Sequence, residues 1–125
     1  MRKLAETFKA LSDETRLRIL NILTERECCV CEVMQVLDLS QSRASRHLIA
    51  LYDAGFLKFR RQGLWALYSI DWENMDKLHI NLTGVLNDAL KDDRTAARDR
   101  QKLATAVKIG LTGCAPGRAP VDRKN

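Results

Sequence analysis

From residue 57 to residue 70 the chain reads LKFRRQGLWALYSI. Apolar and polar residues partly alternate there, with β-branched and aromatic side chains around Gln62-Gly63. Elsewhere the apolar spacing is helical, so this one change of period constrains the fold most. A period-two run interrupted by a glycine predicts a β-hairpin with its tip near Arg61–Gly63.

The helical segments before it are short and well punctuated. In KLAETFKAL, residues 3–11, Leu4, Phe8 and Leu11 share one helical face. Ser12-Asp13-Glu14 then supplies oxygen acceptors for the free N–H groups of a helix start. TRLRILNILTE forms a second helix with Leu17, Ile19, Leu20, Ile22 and Leu23 as its apolar set. A third helix begins at Cys31 and ends near Asp38. Leu39-Ser40 is a tight turn, and Ser40 or Gln41 starts a fourth helix, QSRASRHLIALYDAG. Its stripe is Ala44, Leu48, Ile49 and Leu51, and Gly55 stops it.

After the hairpin, Met75, Leu78, Leu82, Val85, Leu86 and Ala89 return to helical spacing. The polar run KDDRTAARDRQK leads into a further helix that includes Leu103 and Val107. The terminal GCAPGRAPVDRKN, with both prolines, is expected to be flexible. The fold class is therefore mainly α with a small β-hairpin. The expected division is a unit over residues 1–92, with a C-terminal helix and tail over 93–125.

A short helix, a turn and a polar, basic second helix followed by a hairpin make a winged helix-turn-helix, which lays its second helix in the DNA major groove. Gln41, Ser42, Arg43, Ser45, Arg46 and His47 cluster in the first two turns of that helix. Arg pairs with guanine, Gln with adenine, and Ser reaches bases or phosphates. At the hairpin tip, Lys58, Arg60, Arg61 and Gln62 suit phosphate or minor-groove contacts. Between Arg43 and Arg61 five basic residues face one acid, Asp53, a local net of +4 within a chain of net charge +5. Charge alone would equally describe a solvated basic face; the order of elements makes the case for double-stranded DNA. His47 sits among these DNA-facing residues and reads as a phosphate or core contact. His79 has no partner at zinc-site spacing and reads as a partly buried or interfacial side chain.

The second feature is TERECCVCEVMQVL. Cys28, Cys29 and Cys31 fall within four residues, and the fourth cysteine, Cys114, lies in the tail. The charged N-terminus, MRKLAETFKALSDETR, lacks the apolar core of a secretory peptide, and no apolar run approaches the roughly 20 residues of a membrane span. A cytoplasmic, reducing location is expected, where four cysteines point to metal binding or redox sensing rather than a disulfide framework. On one regular helix the three clustered thiols would point at about 0°, 100° and 300°, leaving Cys28 and Cys31 near one face and Cys29 apart. Convergence on a soft ion would then distort the turn in front of the DNA-reading helix. Arg26 lies close enough in sequence to lower a thiol pKa, which keeps a thiol-based redox sensor open. No phosphate-binding glycine loop, HExxH or paired acid and base is present, so an enzyme is not expected.

ECCVCEV, preceded by FKALSDETRLRILNIL and followed by LDLSQSRASRHLIALYDAGFLKFRRQGLWALYSI, resembles the ArsR/SmtB family of metal-sensing repressors, most of all its arsenic-responsive members. The resemblance covers about residues 4–90. It implies a winged-helix homodimer whose interface uses the first and last helices, with no membrane association and no catalytic cofactor. It further implies repression at a palindromic operator and release of DNA when As(III) or Sb(III), as inducer, binds cysteine thiolates. The family's Cys-Val-Cys falls on Cys29-Val30-Cys31. Where many arsenic sensors carry a third cysteine, this chain has Met34. The third sulfur is then Cys28, slightly favoured for its adjacency, or Cys114 from either subunit, or an exogenous thiol. Cadmium/lead sensing is the close alternative, although such members add N-terminal cysteines and residues 1–27 contain none.

Overall fold

Asp13 opens the helix α2 (Glu14–Leu23) by accepting the Arg16 amide at 3.1 Å, which separates it from α1 (Arg2–Leu11). The computed structural model describes residues 1–108. The chain continues through β1 (Cys28–Cys29), α3 (Val30–Leu37), α4 (Gln41–Asp53), β2 (Leu57–Gln62), β3 (Trp65–Ile70), α5 (Lys77–Leu90) and α6 (Arg94–Thr105).

The turn between α3 and α4 rests on two residues. Asp38 ends α3 in the left-handed region at φ 56°, which a short polar side chain tolerates better than most. The Leu39 amide returns to the Met34 carbonyl at 3.2 Å, and the Ser40 hydroxyl then accepts the Arg43 amide at 3.3 Å, capping α4. Ala44, Leu48 and Leu51 are fully buried on α4, while Ile49 is half-buried. Gly55 at φ 97° turns the chain into β2.

The hairpin pairs Leu57 with Ile70 through Gln62 with Trp65, around a Gly63-Leu64 loop with Gly63 at φ 60°. A positive φ at the first loop residue suits the right-handed twist of the strands. One strand more than expected completes the sheet. Cys28 pairs with Tyr68 and Cys29 with Leu67, giving the order β1-β3-β2. The case of all three clustered cysteines on one regular helix therefore does not arise: Cys28 and Cys29 are extended, and the free edge of β3 supplies their backbone partners. Two further boundaries move. Met75 precedes α5, whose N-cap is Asp76, and Val107 lies beyond α6.

Ile19, Ile22, Val33, Val36, Leu48, Leu51, Phe56 and Leu57 are fully buried and form the centre of the core. Each contributes about 1.5–3 kcal/mol by leaving water. α6 is bound to α2 by polar contacts. Arg18 grips the fully buried Asp99 with two hydrogen bonds of 2.8 and 2.9 Å, and Asn21 donates to the Ala96 carbonyl at 3.1 Å. α1 and α5 behave differently. Leu4 and Phe8, and Leu78, Ile80 and Val85, leave large apolar side chains exposed, and of α5 only Thr83 is buried. Leu4 and Leu78 line one open cavity of about 640 Å³, so the two helices neighbour each other. Among the described residues no helix is long and apolar enough to cross a membrane.

Candidate thiol site and nucleic-acid interface

Strand geometry separates the clustered cysteines. Successive residues of a strand point to opposite faces. Cys28 joins the main core with Tyr68, whereas Cys29 and Cys31 share a second small cluster with Leu67, edged by Met34 and Trp65. The strand thus reverses the pairing that a continuous helix would have given. All three cysteines are buried. Cys29 is also the N-cap of α3. Its amide donates to Glu32 Oε1 at 2.9 Å, and the Glu32 amide faces the Cys29 sulfur, a capping box. The buried Glu32 carboxylate is neutralised by Arg26 Nη1 at 2.7 Å.

These surroundings disfavour thiolates in the resting protein. Burial, then the Glu32 charge, push the Cys28 thiol up from 9.0 to about 12, and Arg26 offsets them only in part. Burial likewise raises Cys29. Arg26, itself paired with Glu32, does pull the Cys28 thiol down as expected, but burial and the Glu32 charge outweigh it. Among the described residues no three His, Cys, Asp or Glu side chains converge on one point. Cys114 lies outside the described residues, as does the expectation of a flexible tail.

The basic helix and the hairpin are presented on the surface. Ser42, Arg43 and Arg46 are exposed on α4; Gln41, Ser45 and His47 are half-buried. His47 Nδ1 accepts from Arg16 Nε at 3.2 Å. Burial, with the nearby Arg16, Arg43 and Arg46 charges, holds His47 below its ordinary value against the pull of Asp13. A neutral imidazole accepting from Arg16 ties the start of α2 to the reading helix. Arg16 was not legible as a member of this group, since it lies 31 residues from His47.

On the hairpin the four polar side chains divide. Lys58, Arg60 and Gln62 alternate with Phe59 and Arg61 along β2. Lys58 pairs with Glu73 at 3.0 Å, and Arg60 grips Glu27 at 2.6 and 2.8 Å. Arg61 lies over the Phe59 ring at 5.7 Å. Lys58 and Arg60 therefore brace the base of the wing, and Arg61 and Gln62 stand nearest its tip.

A two-helix reading unit with a basic second helix and a hairpin wing defines a winged helix-turn-helix transcriptional regulator. Residues 13–58 match the bacterial regulatory protein, arsR family. The arsenic resistance transcriptional regulator ArsR1 of Pseudomonas putida is 39% identical over 108 residues, covering 79% of this chain and 84% of that one. A cadmium resistance transcriptional regulatory protein CadC homolog of Staphylococcus aureus is 43% identical over 75 residues, covering 59% and 62%. Among solved structures, HlyU of Vibrio cholerae superposes with a TM-score of 0.61 at 28% identity, over 70% of this chain and 88% of that one. A homodimeric winged helix-turn-helix DNA-binding domain of Mycobacterium bovis, a possible ArsR-family regulator, gives 0.61 at 25% identity, over 74% and 82%. The chain belongs to the ArsR family: it is a metal-responsive transcriptional repressor and not an enzyme.

Proposed function

We propose that this repressor binds double-stranded operator DNA as a cytoplasmic homodimer and releases it when As(III) or Sb(III) is bound by cysteine sulfurs. The observation that carries the proposal is the Cys29/Cys31 cluster at the N-terminus of α3. A trivalent metalloid is soft and takes sulfur donors. Drawing two sulfurs onto one atom strains the Cys29–Glu32 capping box. α3 packs directly on α4, so a shifted α3 displaces the reading helix. The arsenic-resistance name of the Pseudomonas relative supports the inducer, and the exposed apolar faces of α1 and α5 support a dimer. In this proposal residues 1–92 read DNA and dimerise, and residues 93–125 form a C-terminal helix and tail.

Cadmium is the second reading, favoured by the staphylococcal relative. Fluorescence anisotropy of a labelled palindromic operator, titrated under reducing, metal-free conditions, separates the two. Arsenite should release the DNA. Release by cadmium alone would transfer the assignment to the second reading, and release by peroxide alone would make the thiols a redox sensor.

A further inference from the structure

β1 is only two residues long, so the sheet is three strands wide along just two lines of register. On one, Cys28, Tyr68 and Phe59 lie side by side; on the other, Cys29, Leu67 and Arg60 do. Beyond Arg60 the wing continues on two strands alone, through the pairs Arg61 with Ala66 and Gln62 with Trp65, to the loop. A two-stranded hairpin by itself holds its shape poorly in water. The line through Cys29, Leu67 and Arg60 is therefore where the wing leaves the body of the protein. Whatever fixes Arg60 there sets the angle at which the wing meets DNA.

Glu27, the residue before β1, does this. Its carboxylate accepts from Arg60 Nη2 at 2.6 Å and from Nε at 2.8 Å, one bond to each oxygen. Since β3 lies between β1 and β2, the pair bridges the two outer strands across the central one. Neighbouring strands lie about 4.8 Å apart, so the bridge spans about 10 Å of sheet. Directly paired residues share a face, which puts Arg60 on the side of Leu67 and Cys29. Lys58 and Lys108 add their charges to the same carboxylate. Lys108 also stands 6.0 Å from the centre of the Trp65 ring, in the last pair before the loop. As a contribution to stability an exposed ion pair is small. Two parallel bonds from a planar guanidinium instead fix a direction.

Resting for its second half on the metalloid reading above, we infer that Glu27 is a positioning residue for the wing, and that its grip on Arg60 carries ligand binding at the cysteine strand to the wing's DNA contacts. Glu27 and Cys28 are consecutive, and Cys29 shares its line of register with Arg60. A Cys29 sulfur drawn onto a metalloid shifts β1, and Glu27 shifts with it. The guanidinium follows, and the wing turns where it leaves the sheet. This route is separate from the packing of α3 on α4, so one event at β1 disturbs both the reading helix and the wing. Arg60 acts on DNA through the wing's angle, with its own charge matched by Glu27.

The test uses the full chain, reduced and metal-free, with a labelled palindromic operator and arsenite as the probes. Glu27→Gln keeps the shape of the side chain and removes an acid from a protein that binds a polyanion. Charge alone would therefore tighten operator binding. Loss of the brace should instead weaken it by about fivefold, the upper end for an exposed pair, with the slope of log affinity against log salt unchanged. Arg60→Ala should weaken it to a similar degree, and the double variant no further, since the two residues act as one unit. Melting temperatures should stay at the wild-type value. Glu27→Gln should bind arsenite as tightly as wild type, read from thiolate–arsenic absorbance, yet lose several-fold less operator affinity on binding it. Tighter operator binding or a steeper salt slope in Glu27→Gln would mean that Glu27 only withholds Arg60 from phosphate, and would overturn the inference with the metalloid reading untouched. Additive losses in the double variant, a fall in melting temperature that accounts for the lost affinity, or an undiminished response to arsenite would overturn it as well. Failure of arsenite to release wild type would overturn the metalloid reading and the coupling with it, whereas the titrations without arsenite judge the positioning role alone.

Discussion

Glu32 Oε1 accepts the Cys29 amide at 2.9 Å, so a buried carboxylate is fixed beside the thiol that caps α3. The Cys29 thiol, raised by burial, is protonated near neutral pH, and inducers differ in what they do with that proton. Arsenous acid carries its own hydroxides, so thiol protons leave as water and none is released. Cadmium must expel one proton per sulfur. Arsenite affinity should therefore be nearly flat between pH 6.5 and 8, roughly speaking, whereas cadmium affinity should rise about tenfold per pH unit for each thiol engaged. Titrations at three pH values check this. An arsenite affinity that climbed steeply would show that binding displaces protons, contrary to this scheme.

Cys28 and Tyr68 are cross-strand partners, both buried, and both are pushed up to about 12 from 9.0 and 10.0. A folded-state pKa above the unfolded one gives stability that is complete below the unfolded pKa and is lost as pH rises toward the folded one. The melting temperature should therefore hold up to about pH 9 and fall steadily between about pH 9 and 12. Circular dichroism melts across that range should show a shallower fall for Cys28→Ala. An equal slope in the variant would assign the loss to other groups.

Arg18 and Asp99 join α2 to α6 with Asp99 wholly enclosed. Arg18→Ala strands that carboxylate, at a cost of about 2–3 kcal/mol after allowing for the partly exposed guanidinium. Arg18→Lys should recover only part of this, because an ammonium cannot make the two-pronged contact. Denaturant midpoints measure both.

Arg43 and Arg46 are exposed on α4, while Arg60 is held by Glu27. Arg43→Ala or Arg46→Ala should weaken operator binding, and loss of a phosphate contact should reduce the slope of log affinity against log salt by about 1. Arg60→Ala should change that slope less, since its charge is already matched. Anisotropy titrations at several salt concentrations decide it. An equal drop for Arg60 would mean that the Glu27 pair opens on DNA.

The helix-turn-helix was readable because its signals are local. Ser40 caps α4, Ala44, Leu48 and Leu51 form the buried stripe, and Gly63 turns the hairpin, each acting within a few residues of its own position. The candidate thiol site was half readable. Three cysteines in four residues mark a candidate, but their directions depend on whether Cys28 and Cys29 are helical or extended. That choice is made by the edge of β3, some 40 residues further along, because an unpaired strand edge captures whatever extended segment lies beside it.

By itself the sequence determined the order of elements, the two faces of the reading helix and the presence of a thiol group, since propensity, capping and apolar period act over a few residues. Only the tertiary structure decided which cysteines share a cluster, that Arg26 pairs with Glu32, that Arg16 holds His47, and that Val107 lies against Gln35. Each of these joins groups distant in the chain or chooses between competing local partners. Such choices are settled by burial and by the need to satisfy every polar group at once, conditions that exist only after the chain has packed.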